Sequence, residues 1–234
     1  MKDLILQTND FVGLTFWLIS LGTIAATAFF FAERNTVAEA WKTSVTVAGI
    51  VTGVAFLHYI YIRGIWIHTG DAPTVYRYID WLITLPLQAI TFYLIISAVR
   101  KTPSSIFWKL LIASLVMSAG GYLGEAGYLS AIIGFVIELG GLIYIVFELF
   151  SGASNKLVSG SSNRPLKIAF GSMRMIVAIG WAIYPIGYLF GYVIIVIDAN
   201  TLNAIYNLAD FVNKIAFGLI IWSCAIKNTY LSKR

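Results

Sequence analysis

The chain has 234 residues, of which 59% are hydrophobic and only 12% charged, against roughly 25% charged in a soluble domain. Its one cysteine, Cys224, excludes an internal disulfide framework. The net charge of +5 is scattered through short breaks between apolar runs, not gathered in a basic stripe with interleaved aromatics, which excludes nucleic-acid recognition.

A chain of this composition has a lipid bilayer as its solvent, and apolar runs of about 20 residues mark helices that cross one. In chain order the predicted spans are Phe11–Ala32, Ala40–Ile62, Tyr76–Val99, Ile106–Leu123, Leu129–Phe150, Ile168–Ile195 and Leu202–Ile226. The breaks are Glu33-Arg34-Asn35, Gly70-Asp71-Ala72-Pro73, Arg100 to Ser105, Gly124 to Gly127, the Gly/Ser/Asn-rich stretch Ser151 to Pro165, and Asp198-Ala199-Asn200. Met1 to Asp10 is polar and the first run is already a full span, so no cleaved leader is expected. The expected fold is an all-α membrane protein, one seven-transmembrane-helix domain over residues 1–234.

Lysines and arginines set its orientation. A cytoplasmic C-terminus gives that side Arg34, Lys42, Arg100, Lys101, Lys109, Lys156, Arg164, Lys167, Arg174, Lys227, Lys233 and Arg234, and leaves Lys2 and Arg63 opposite. The N-terminus is therefore expected outside, in a multi-pass protein of the inner (plasma) membrane.

Charges inside the spans carry the chemistry. The third span holds Arg77, Asp80, Thr84, Gln88 and Thr91. The last four recur at spacings of four, four and three, so they share one helix face that must point into the bundle. His58 in the second span lies at a comparable depth. Lys214 sits near the middle of the seventh, where a charged lysine costs about 2.5–3.5 kcal/mol on insertion scales. A lysine out of water is a ready amine for condensation with an aldehyde, and Asp210, four residues earlier, is on the same face to balance the cation. An ion-pair network that only locks helices together is the competing account. It explains one such pair better than this whole constellation. Trp81, Met117, Gly121, Trp181, Tyr184 and Pro185 are the candidate walls of a long, flat, conjugated ligand. Two histidines in separate regions, His58 and His68, make no metal site.

Arg77-Tyr78-Ile79-Asp80-Trp81-Leu82, Trp181-Ala182-Ile183-Tyr184-Pro185 and Asp210-Phe211-Val212-Asn213-Lys214, in this order, resemble the microbial (type 1) rhodopsins, and among them the proteorhodopsins, along essentially the whole chain. The resemblance implies all-trans retinal bound covalently to Lys214 as a protonated Schiff base. It implies Asp80 as primary counterion and proton acceptor, Asp210 as second counterion and Arg77 as a cationic gate toward the outside. His58 and Thr84 would both hydrogen-bond Asp80. Phe135 and Tyr188 join the cofactor wall. Gln88 resembles the residue that goes with blue absorption where leucine goes with green. Excitation moves positive charge from the nitrogen toward the ring end of retinal, and a polar amide favouring the ground-state distribution widens the gap. A ring-shaped homo-oligomer, pentamer or hexamer, is implied. Phe135 is bulky where carotenoid-carrying relatives have a glycine gap, so no antenna carotenoid is expected. Leu202 stands where haloarchaeal pumps carry a proton-release glutamate.

The departure lies eleven residues after Asp80, roughly 16 Å along the helix. Proteorhodopsins carry a glutamate proton donor there, and this chain has Thr91. A hydroxyl relays a proton but does not store one near neutral pH. The Asp80-Thr84-Thr91 set lacks the chloride-pump and sodium-pump patterns. It leaves a light-driven outward proton pump, refilled slowly from the cytoplasm, as the favoured reading. A slow sensory photoreceptor signalling to a partner is the alternative, with a non-photochemical membrane protein third. Glu148 reads as a solvated or capping-region carboxylate and Glu125 as part of the outer loop region, while Glu138 reads as a protonated core glutamate, a helix-contact group or a substitute proton relay, a structural role being favoured.

Overall fold

The computed structural model describes residues 7, 9–70 and 73–231, and no strand occurs among them. Asp71 and Ala72 of the second break, and the orientation charges Lys2, Lys233 and Arg234, lie outside the described residues. Seven segments are long and apolar enough to cross a membrane. They are built from α1 (Phe11–Glu33), α2 (Glu39–Thr69), α3 (Arg77–Ser97), α4 (Ser104–Glu125), α5 (Ala131–Phe150), α6 (Ala153–Ser159), α7 (Arg164–Met175), α8 (Ile183–Tyr188) and α9 (Ala199–Leu231).

Caps fix several of the ends. Asp10 accepts from the Gly13 amide at 2.7 Å to start α1, and its second oxygen takes Trp66 Nε1 at 2.9 Å, tying α1 to α2. α2 runs seven residues past the predicted Ile62 and stops at Gly70, whose φ of +68° is left-handed. Arg63 does not break it, because the guanidinium lies over the Trp17 ring at 4.5 Å. The stretch Ser151 to Pro165 is not wholly loop. It contains α6, anchored by Glu148, which accepts from the Ser154 amide at 3.0 Å, while the Ser154 hydroxyl donates to the Glu148 carbonyl at 2.7 Å. Glu148 is accordingly buried, a capping carboxylate and not a solvated one.

The sixth span, Arg164–Val193, is irregular. Asn163 caps α7, a π-helical turn follows at Ile176–Gly180, and a second, Leu189–Val193, follows α8. Pro185 within α8 has no N–H for the helix ladder. α4 and α5 come close through glycines: a Cβ on Gly134 would fall 2.6 Å from Gly124 Cα.

Burial is inverted relative to a soluble protein. Leu57, Val136, Ile179 and Ile195 face outward, while Arg77, Asp80, Gln88, Asp210 and Lys214 are buried. This is the distribution lipid demands, because hydrocarbon satisfies no polar side chain.

Candidate functional site

The polar stripe of α3 and the lysine of α9 meet at the centre of the bundle. Asp80, Thr84, Gln88 and Thr91 are each no more than 2% exposed, as are Asp210 and Lys214. Lys214 Nζ donates to Asp210 Oδ2 at 2.9 Å and pairs also with Asp80 Oδ2. The two carboxylates differ sharply in their other partners. Asp210 also receives Tyr59 Oη at 2.6 Å, Trp81 Nε1 at 3.3 Å and the Tyr184 hydroxyl. Among the described residues Asp80 has Lys214 alone, and its Oδ1 is buried without a partner.

Arg77 sits one turn before Asp80 on α3 and is 1% exposed. Among the described residues its guanidinium pairs with no carboxylate. It donates to Tyr59 Oη at 2.8 Å and to Asn203 Oδ1 and Asn207 Oδ1 at 2.7 Å each. Tyr59 thus accepts from Arg77 and donates to Asp210, linking the cation to the carboxylate through one hydroxyl. Gln88 Nε2 donates to the Asn213 carbonyl at 3.2 Å, next to Lys214, and Asn213 Nδ2 reaches Tyr184 Oη at 3.1 Å.

Two expected contacts are not made. His58 is buried, but its Nε2 has no partner, so it does not hydrogen-bond Asp80. Thr84 Oγ1 is likewise unpartnered. Both residues are near enough in sequence register to belong to the site, yet the buried Asp80 oxygen faces neither at bonding distance. The Thr91 hydroxyl donates to the Leu87 carbonyl of its own helix at 2.7 Å. Glu125 is not a loop residue either: it ends α4 and accepts from Thr74 Oγ1 at 2.8 Å.

The candidate walls gather here. Trp81, Met117, Gly121, Trp181, Tyr184, Pro185 and Tyr188 are buried, and Phe135 is half-buried with its ring 6.2 Å from that of Tyr188. Trp81 lies 4.7 Å from Tyr184 and 5.4 Å from Tyr206, ring centre to ring centre. Trp181 Nε1 is buried without a partner. Tyr59, Asn203, Asn207 and Asn213 were not anticipated. The signal was present: 203, 207, 210 and 214 recur at four, three and four on one face of α9.

The sequence model of the bacteriorhodopsin-like protein family matches residues 10–228. Blue-light absorbing proteorhodopsin of Gamma-proteobacterium Hot 75m4 is 51% identical over 226 residues, covering 96% of this chain and 90% of that one. The solved structure of blue light-absorbing proteorhodopsin from Med12 superposes with a TM-score of 0.79 at 51% identity, covering 94% of this chain and 100% of the other. That of Exiguobacterium sibiricum rhodopsin gives 0.82 at 34% identity, with 94% and 98% covered.

Proposed function

The chain belongs to the bacteriorhodopsin-like family, in its proteorhodopsin branch, and from that premise we propose that it is a retinal-binding, light-driven outward proton pump. The residues fit the cofactor. A buried primary amine stands between two carboxylates, which suits a delocalised cation, and Trp81 and Trp181 offer flat apolar faces, the latter with an unsatisfied N–H. Lys214 Nζ would hold all-trans retinal covalently, and the group would supply light absorption and a light-driven isomerisation.

The chain's own groups then decide where the Lys214 Nζ proton goes. The observation that carries the reading is the inequality of the aspartates. Asp210, saturated by four donors, keeps its negative charge and remains the fixed counterion. Asp80, whose Oδ2 faces Lys214 Nζ and whose Oδ1 has no donor, is the group able to take the proton. Arg77, held by Tyr59 and two asparagine amides, sets its guanidinium beside the pair on the side toward the N-terminal end of α3. Vectorial transport further requires that access switch between proton loss and refilling. Refilling from the cytoplasmic side is slow, because Thr91 has committed its proton to Leu87 O. The same slowness favours a sensory photoreceptor as the second reading.

With this function go an outside N-terminus, a cytoplasmic C-terminus, placement in the inner membrane, a pentameric or hexameric homo-oligomer, blue absorption set by Gln88, and no carotenoid antenna beside Phe135. Illuminated cells or liposomes carrying the protein should acidify the outer side, and a protonophore should abolish the signal. Colour formation with retinal that Lys214→Ala removes, but no pH change, would leave the sensory reading.

A further inference from the structure

Away from Lys214, α4 and α5 each turn a glutamate toward α3. Glu138 is 3% exposed in α5, whose other charged residue, Glu148, lies near the far end of the helix, and Glu125 is the last residue of α4. Among the described residues neither has a lysine or arginine at ion-pair distance. One hydroxyl lies between them: Tyr78 Oη is 3.3 Å from Glu125 Oε1 and 3.4 Å from Glu138 Oε2. Gly121 makes the room, since a Cβ there would fall 2.5 Å from Tyr78 Oη and 2.7 Å from Glu138 Oε2. A second observation points into the same junction. Tyr188 is 1% exposed and its hydroxyl has no partner. That hydroxyl lies where a Cβ on Gly124 (beside Glu125) or on Gly134 (one turn before Glu138) would meet it.

A tyrosine hydroxyl owns one proton. It can donate to one carboxyl and must then accept from the other, so the bridge is satisfied only when one carboxyl is an acid. Glu125 also receives the Thr74 hydroxyl at 2.8 Å, whereas Glu138 has Tyr78 alone. An unpaired charge is far costlier to bury than a neutral acid. We propose that Glu138, Tyr78 and Glu125 form a second proton-binding site, separate from the Lys214–Asp80–Asp210 cluster but bordering the cofactor wall at Gly121 and Tyr188, with one proton resident on Glu138, donated to Tyr78 Oη, while Tyr78 donates to a Glu125 carboxylate. When the Glu138 proton passes to Tyr78 and the Tyr78 proton passes to Glu125 Oε1, the negative charge moves from Glu125 to Glu138 and no proton is gained or lost. From Glu125 the chain of hydroxyls continues through Thr74 to Tyr192, near the end of the sixth span. The titratable groups acting on the pair are Tyr78 from α3, Tyr188 from α8, Tyr192 from the end of the sixth span and Tyr206 from α9, with Arg77 the cation acting on Glu125.

Infrared spectroscopy of the full chain in an ester-free detergent tests this without light or retinal. The expected result is a carboxylic-acid carbonyl band that shifts in D2O, is lost in Glu138→Gln, and survives in Glu125→Gln and in Asp80→Asn. In Tyr78→Phe, which keeps both carboxyls, the band should move to higher frequency as the acid loses its acceptor. A band of unchanged intensity in Glu138→Gln, its loss in Glu125→Gln instead, or an unmoved band in Tyr78→Phe overturns the proposal. An optical arm rests on the retinal reading above. There, raising the pH should move the absorption of the wild type, but not of Glu138→Gln, to longer wavelength. Failure to bind retinal would remove that reading and leave the infrared result standing.

Discussion

Gln88 shows how one side chain serves two ends at once. Its amide donates to the Asn213 carbonyl, immediately before Lys214, so the residue implied to tune colour is also a bond between α3 and α9. Gln88→Leu separates the two roles. It should move the absorption of the retinal-loaded protein to longer wavelength and lower stability by about 1 kcal/mol, the net worth of an ordinary hydrogen bond, or somewhat more if the buried carbonyl is left unsatisfied. Absorption and thermal unfolding of the same sample measure both. At this scale the sequence was legible wherever charge was anomalous. Lys214, Asp210, Asp80 and Arg77 announce themselves because the bilayer makes each expensive. Tyr59 and Asn203 do not, because a tyrosine or asparagine in a long helix is unremarkable until its partner across the bundle is known. The pairing of Glu125 with Glu138 was hidden for the same reason: it exists only once α4, α5 and Tyr78 are placed together.

The seven spans follow from apolar runs of the right length, and their misjudged ends have local causes. Composition ends the second span at Ile62, before Arg63, and reads Ser151 to Pro165 as a break. Yet the Arg63 contact with Trp17 carries α2 onward, and the Glu148 cap starts α6. The π turns flanking α8 depend on tertiary packing around Pro185 and leave no sequence signature beyond the proline itself. α9 offers two tests. Its start is capped by Asp198, which accepts from the Thr201 amide at 3.0 Å and the Thr201 hydroxyl at 2.6 Å. These bonds, the hydroxyl first, hold the Asp198 carboxyl below its ordinary value of 3.8. A carboxyl lowered in the folded state stabilises above its unfolded value and loses that contribution as pH falls through the folded one. Asp198→Ala should therefore lower the unfolding midpoint near neutral pH, with the gap to wild type closing in strong acid. Further along, Asn207 accepts from Arg77 and donates to Thr15 Oγ1 at 2.9 Å. Asn207→Leu strips one acceptor from a buried guanidinium, a loss of about 1–3 kcal/mol or more for a charged donor. Its unfolding midpoint should fall further than that of Gln88→Leu.

For the molecule as a whole, the central polarity is concentrated in α3 and α9, and it is lopsided along the membrane normal. From Asp80 toward the start of α3 lie Arg77, Tyr59, Asn203 and Asn207, a dense set of groups able to pass or repel a proton. From Asp80 toward the other end the same helix offers Gln88, committed to Asn213, and Thr91, committed to Leu87. Proton movement should then be fast on the first side and limiting on the second. Thr91→Glu tests the asymmetry directly, because it puts an ionisable reservoir where a hydroxyl now spends its only proton on the backbone. Flash photolysis with simultaneous pH measurement should show recovery of the deprotonated state becoming several-fold faster in Thr91→Glu. Azide, a small diffusible proton carrier, should accelerate the wild type toward the same rate while adding little to the variant. If neither glutamate nor azide changes recovery, proton supply from that side does not set the cycle time.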